Sequence, residues 1–216
     1  MLALTTQTVV TLRIFPLLIF AQLSLYALST FVLVDDALYL DFWGDKLPYE
    51  RIIQIIEDTK KWQWLTYLFI PFLTLLKCFL VACCLYIGGF LIKSNEGLGS
   101  FFKVAVVVEF TSLLPMVAKI IWFGFIHRNY GLEGLTHFAP FSALSLFSKG
   151  NVATWFVYPL QLLGLFELLY WMVLAAQLKE PLKRSFAGSL GFVASTYGIG
   201  LFIWVLFVMF LTVNLS

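Results

Sequence analysis

Four ionisable residues stand inside stretches that are otherwise apolar: Lys77, Glu109, Lys119 and Glu167. A charge at the centre of a bilayer costs about 2.5–3.5 kcal/mol on insertion scales, so such residues face protein or water and take a partner. Glu109 and Lys119 share one run, FFKVAVVVEFTSLLPMVAKIIWFGFI at 101–126, with Pro115 between them. Glu109, Ser112, Met116 and Lys119 recur in steps of three and four and so lie on one helical face. Ten residues of helix rise about 15 Å, so Glu109 and Lys119 cannot pair with each other. Helix rise puts Glu109 about 12 Å, Glu167 about 16 Å and Lys77 about 22 Å from the side that holds the 93–100 turn, which allows the three to meet. A Lys77 ammonium between two carboxylates offsets most of the burial cost, and protonation of one carboxylate would leave the cluster nearly neutral. Two readings fit: a paired polar core that fixes helix register, or an ion or proton relay or a site for a polar substrate or lipid headgroup. Lys119 lies deeper, near the opposite interface, where it can snorkel.

Other chemistry is thin. Cys78, Cys83 and Cys84 fall in one apolar run without ligand-spaced His or carboxylate, which suits packing better than a disulfide or metal. His127, Glu133 and His137 lie in one connection, and the last two are an i, i+4 pair if that stretch is helical; the pattern has no HExxH and no fixed spacing. No metal site is expected. No GxSxG, P-loop or dinucleotide fingerprint occurs, so no cofactor and no catalytic residue is nominated, and the chain reads as a non-enzyme. A net charge of +2 without a basic arm argues against nucleic acid as a partner.

The elements that carry these residues belong in a membrane. The chain is 61% hydrophobic and 12% charged, whereas soluble domains carry about 25% charged residues. An all-α integral membrane fold follows, a bundle of five spans at about 14–34, 64–92, 101–126, 152–178 and 186–213, in a single domain over 1–216. The first span is read as a retained helix, not a signal peptide, with Pro16 near its start. The connection 35–63 is the most charged part, and within it PYERIIQIIEDTKKW predicts an interfacial amphipathic helix. Its apolar side, Ile52, Ile53, Ile55 and Ile56, is either packed on the bundle end or a surface for docking a partner. The piece FAPFSALSLF is too short to span and reads as interfacial or re-entrant. In the last span Gly188, Gly191, Ser195 and Gly198 form a stripe of small residues expected to let helix backbones approach. Lys and Arg divide six to each side, and basic residues in the short turns favour a cytoplasmic N-terminus.

The run LYIGGFLIKSNEGLGSFFKVAVVVEFTSLLPMV resembles a segment of Yip1-domain membrane proteins, in which a glycine-bearing turn leads through Ser-Phe-Lys into a helix with Leu-Pro at its middle. The residues concerned are Gly97, Gly99, Ser100, Phe101, Phe102, Lys103, Leu114 and Pro115. The later run GNVATWFVYPLQLLGLFELLYWMVLAAQLK is similar to the family's next span through Trp155 and Gly164. The resemblance covers about 64–213 and implies a five-helix membrane domain with a cytoplasmic N-terminus, of the compact type found in the bacterial inner membrane. Eukaryotic members act with small GTPases, but this chain lacks their long cytosolic N-terminal region. The expected function is a non-enzymatic scaffold or partner subunit for membrane lipids, other membrane proteins or further copies of itself. The alternative is a small transporter, channel or scramblase-like protein built on the Lys/Glu cluster. A lipid-acting enzyme has the least support.

Overall fold

The structure, a computed structural model, describes residues 2–127, 130–136, 138–147 and 152–215, with side chains from Arg13 onward other than that of Glu133. In chain order the helices are α1 (Leu2–Leu33), α2 (Asp36–Trp43), α3 (Tyr49–Leu91), α4 (Leu98–Val108), α5 (Leu113–Ile121), α6 (Leu132–Thr136), α7 (Thr154–Leu162), α8 (Leu165–Leu182) and α9 (Phe186–Leu215). A 3-10 turn at Glu109–Ser112 joins α4 to α5, a π turn at Trp122–Ile126 follows α5, and a second 3-10 turn lies at Ala143–Leu146. No strand occurs among the described residues. Four stretches are long and apolar enough to cross a bilayer: Arg13–Leu33, Tyr49–Leu91, Leu98–Ile126 and Phe186–Leu215. The chain is therefore a multi-pass, all-helical integral membrane protein.

Three expectations change at this level. The interfacial helix is not a separate element, because PYERIIQIIEDTKKW runs without a break into the second span as the first turns of the 43-residue α3. Nothing around Trp62 to Trp64 interrupts the backbone ladder: no glycine or proline lies between Pro48 and Pro71. Pro16 is interior to α1, since that helix begins at Leu2. The fourth apolar segment, 152–178, is two helices, α7 and α8, parted at Leu163 and Gly164.

The chain falls into two compact units, residues 1–18, 76–112 and 139–216 in one, residues 19–75 and 113–138 in the other. The core of the first is assembled from single faces of its helices: Cys78, Val81, Ala82 and Leu85 of α3, Phe101, Val104, Ala105 and Val108 of α4, Tyr170, Leu174 and Leu178 of α8, and Phe192, Val193 and Tyr197 of α9. Spacings of three and four residues produce those faces. Lipid tails are as apolar as leucine, so contact between such helices depends on close packing. A Cβ on Gly198 would lie 2.8 Å from the Trp171 ring, one on Gly200 2.6 Å from Cys84 Sγ, and Gly88 of α3 meets Thr196 of α9. The predicted small-residue stripe is thus used only in part within the chain. Gly198 packs, Gly188 is half-buried against its own Ser185 and Arg184, and Gly191 and Ser195 are exposed. Lys93 and Lys183 adopt left-handed backbone where helices end, and the following amides turn back to Gly89 O at 2.9 Å and Lys179 O at 3.1 Å.

In the second unit Gln22 of α1 and Thr74 of α3 are buried and share a 2.8 Å hydrogen bond, with Tyr26 and Tyr67 edge to face at 5.2 Å. Leu33, Ile120, Phe123 and Leu135 form a second apolar cluster, over which the Tyr130 hydroxyl donates to Leu33 O at 3.1 Å. Ile52 and Ile56 are buried, so the proposed docking face is largely consumed inside the chain and only Ile53 and Ile55 keep partial exposure. An exposed ion pair, Lys60 to Asp36 at 2.7 Å, clasps α2 to α3 and adds little stability.

Candidate functional site

Pro115 explains why Glu109 sits on irregular backbone. A proline has no N–H for the carbonyl four residues back and crowds it, so it is most easily placed in the first turn of a helix. The chain meets that demand by ending α4 at Val108, making the 3-10 turn Glu109–Ser112, and restarting as α5 with Pro115 in its first turn. Hydroxyls take up carbonyls within that turn: Thr111 Oγ1 donates to Val108 O at 2.8 Å and Ser112 Oγ to Glu109 O at 2.7 Å.

Glu109 is only 3% exposed, and its Oε1 accepts from Lys77 Nζ at 2.8 Å, while Lys77's side chain is 46% exposed. Oε2 of the same carboxylate is buried without a hydrogen-bond donor. The Lys77 ammonium also lies 5.2 Å from the centre of the Tyr170 ring, a cation–π contact. Tyr170 is buried, and its hydroxyl has no partner. Its ring packs at 5.3 Å on that of Tyr197, whose hydroxyl donates to Glu167 Oε1 at 2.9 Å. Trp171 Nε1 donates to the same oxygen at 2.8 Å.

The structure thus brings Lys77 and Glu109 together, as helix rise suggests, but corrects the expected placement of Lys77 between two carboxylates. Glu167 stands in the first turn of α8 and is held by neutral donors, Trp171 one turn along and Tyr197 on α9. The aromatic ladder of Tyr170 and Tyr197 connects the two carboxylates. Sequence reasoning missed Tyr170, Tyr197 and Trp171 as site residues, although the i, i+4 spacing of Glu167 and Trp171 was a readable signal. Lys119 lies in α5, half-buried, with no carboxylate partner among the described residues. The three cysteines are free, with Cys78 buried beside the pair. His137 and the Glu133 side chain lie outside the described residues, and among those described no group of three metal-ligating side chains gathers.

The break between α7 and α8 is the other irregular feature. Gly164 is extended, and it pairs with Ser142 of the short apolar piece in an isolated antiparallel bridge. The backbone groups freed by the break are taken up there: Ala143 N–H donates to Leu163 O at 2.7 Å, and Leu165 N–H to Phe141 O at 3.0 Å. A Cβ at Gly164 would lie 3.2 Å from Phe141 O, which accounts for glycine at this position. Phe141 itself has a positive φ of 59°, a strained conformation for an aromatic residue.

No family model matches the chain, and neither does any curated protein or solved structure.

Proposed function

We propose that this protein is a small transporter or channel, a non-enzyme whose polar path is lined by Lys77 and Glu109. The observation that carries this reading is the helix break at Gly164 with residues 141–143 hydrogen-bonded into it. Gly164 lies about 15 Å of helix rise from Thr154 and about 21 Å from Leu178, a depth near the middle of a hydrocarbon core of about 30 Å. Irregular backbone is tolerated at such depth only where it is buried in protein or lines a water-filled cavity, and discontinuous helices are a common way to build a transport site.

On this reading α7 and α8 together are the fourth of five crossings, and the piece 138–147 is re-entrant. Contacts along α9 support it: α8 meets α9 at Tyr197 and Gly198, and α7 meets it further on, where Trp204 Nε1 donates to Tyr158 Oη at 2.9 Å. The N-terminus is then cytoplasmic, with Lys93, Lys103, Lys179, Lys183 and Arg184 on that side, in a bacterial inner membrane. The likeness to Yip1-domain proteins at Gly97 to Pro115, Trp155 and Gly164 agrees with five crossings.

Purified protein in liposomes tests the reading, with internal dyes for protons and for potassium as the two probes. An imposed gradient should collapse faster than in protein-free vesicles, and Lys77→Met should return the rate to that baseline. Equal rates in the wild type and Lys77→Met would sink it. A second reading, a scaffold or partner subunit, is favoured by the exposed Gly191 and Ser195 on α9, where a Cβ on Gly191 would meet nothing within 4 Å. Co-purification of another membrane protein through that face would support it.

A further inference from the structure

We propose that Glu109 Oε2 and the Tyr170 hydroxyl oxygen hold a singly charged alkali cation, and that the Lys77 ammonium competes with it for the Glu109 carboxylate. The site rests on the translocation path proposed above and names the class of ion that uses it. Two buried oxygens stand without a partner: Glu109 Oε2, on a carboxylate only 3% exposed, and Tyr170 Oη, on a residue only 4% exposed. Both belong to one packed unit, in which α8 lies against α4 and the turn Glu109–Ser112, and Tyr170 is within electrostatic reach of Glu109. A buried polar atom without a partner costs about 1–3 kcal/mol, so two together mark a place for a species that both oxygens can bind.

Charge decides what that species is. Around the two oxygens α3 supplies Lys77 and Cys78, the end of α4 supplies Glu109, α8 supplies Glu167 and Tyr170, and α9 supplies Tyr197. α1 contributes Leu18 and no charged group to that core. The formal charges of Lys77, Glu109 and Glu167 leave one negative charge, which a low-dielectric interior opposes. A carboxylate accepts on both oxygens and a phenol oxygen keeps its lone pairs, so a hard cation suits Oε2 and Tyr170 Oη alike. Water would satisfy the oxygens and leave the charge. A divalent ion would overshoot it, and among the described residues no three metal-ligating side chains gather to hold one. Lys77 is the tethered competitor: its ammonium engages Oε1 at 2.8 Å, and its side chain, 46% exposed, can swing away when the ion draws on the carboxylate. Its return displaces the ion, so occupancy alternates between the tethered cation and the diffusible one.

Thermal unfolding of the full-length protein in detergent, followed as sodium or potassium chloride replaces choline chloride at constant ionic strength, tests this directly. At least one of the two alkali ions should raise the unfolding midpoint saturably, and Glu109→Gln should abolish that rise. Should Glu109→Gln fail to fold, two further variants provide the measurement. Tyr170→Phe keeps the ring beside Lys77 and removes one oxygen, which should raise the half-saturating concentration about tenfold. Lys77→Met removes the competitor and should lower it about tenfold. A rise that survives Glu109→Gln, or a half-saturating concentration unmoved by Tyr170→Phe or raised by Lys77→Met, overturns the proposal. So does a midpoint indifferent to both alkali ions, which would leave water as the only occupant. The melting curves do not depend on transport. Ion-dependent stabilisation through Glu109 together with gradient collapse indifferent to Lys77 would uphold the cation site and remove the translocation reading alone.

Discussion

Glu167 Oε1 serves two donors at once, Trp171 Nε1 at 2.8 Å and Tyr197 Oη at 2.9 Å, and Tyr197 is buried. Removing a shared acceptor strands both donors, and each buried unsatisfied group costs about 1–3 kcal/mol. Glu167→Gln keeps an amide oxygen in that place and should shift thermal unfolding in detergent only slightly. Glu167→Leu should lower stability by about 1–3 kcal/mol per stranded donor. Equal losses in the two variants would show that the oxygen is not what holds the aromatic pair. That Lys77 needs a carboxylate on a neighbouring span was legible, because a charge in lipid demands a partner and helix rise limits the choice to Glu109 and Glu167. The donors to Glu167 were not, since Tyr and Trp are plentiful in this chain and only the fold brings Tyr197 beside α8.

Among the elements, the junction of α7 and α8 is the one whose form depends on a single residue. Gly164→Ala would press a methyl group to 3.2 Å from Phe141 O and 3.3 Å from Ser142 Cα, both backbone atoms with little room to yield. The expected cost is about 1–3 kcal/mol in thermal unfolding, as for overpacking elsewhere. Gly191→Ala, in open space on α9, is the control and should be neutral or stabilising by about 0.5–1 kcal/mol. A larger loss at Gly191 than at Gly164 would mean that α9 packs on a partner there. The apolar pattern of 152–178 reads as one span, because hydropathy does not register a backbone break that carries no charge. α3 shows the opposite case: charge marked 48–62 as a distinct element, yet a helix continues wherever no residue stops it.

At the scale of the whole molecule, α3 is 43 residues, about 65 Å long, against a hydrocarbon core of about 30 Å. Its charged first turns must therefore stand outside the bilayer. In sealed vesicles a membrane-impermeant maleimide should label Asp58→Cys and Asn95→Cys from opposite faces, with Asn95→Cys on the cytoplasmic side. Labelling of both from one face would show that α3 does not cross. By itself the sequence determined that the chain is helical and lies in a membrane, and that its buried ions must be partnered. These follow from transfer free energy, which depends on composition and on distance along the chain. Only the tertiary structure decided that Lys77 takes Glu109 and not Glu167, that Ile52 and Ile56 are used inside the chain, and that the fourth apolar segment is broken at Gly164. Those outcomes depend on the rotation of each helix about its axis and on which backbone groups find partners across space. Residues far apart in the chain set both, and no local pattern records them.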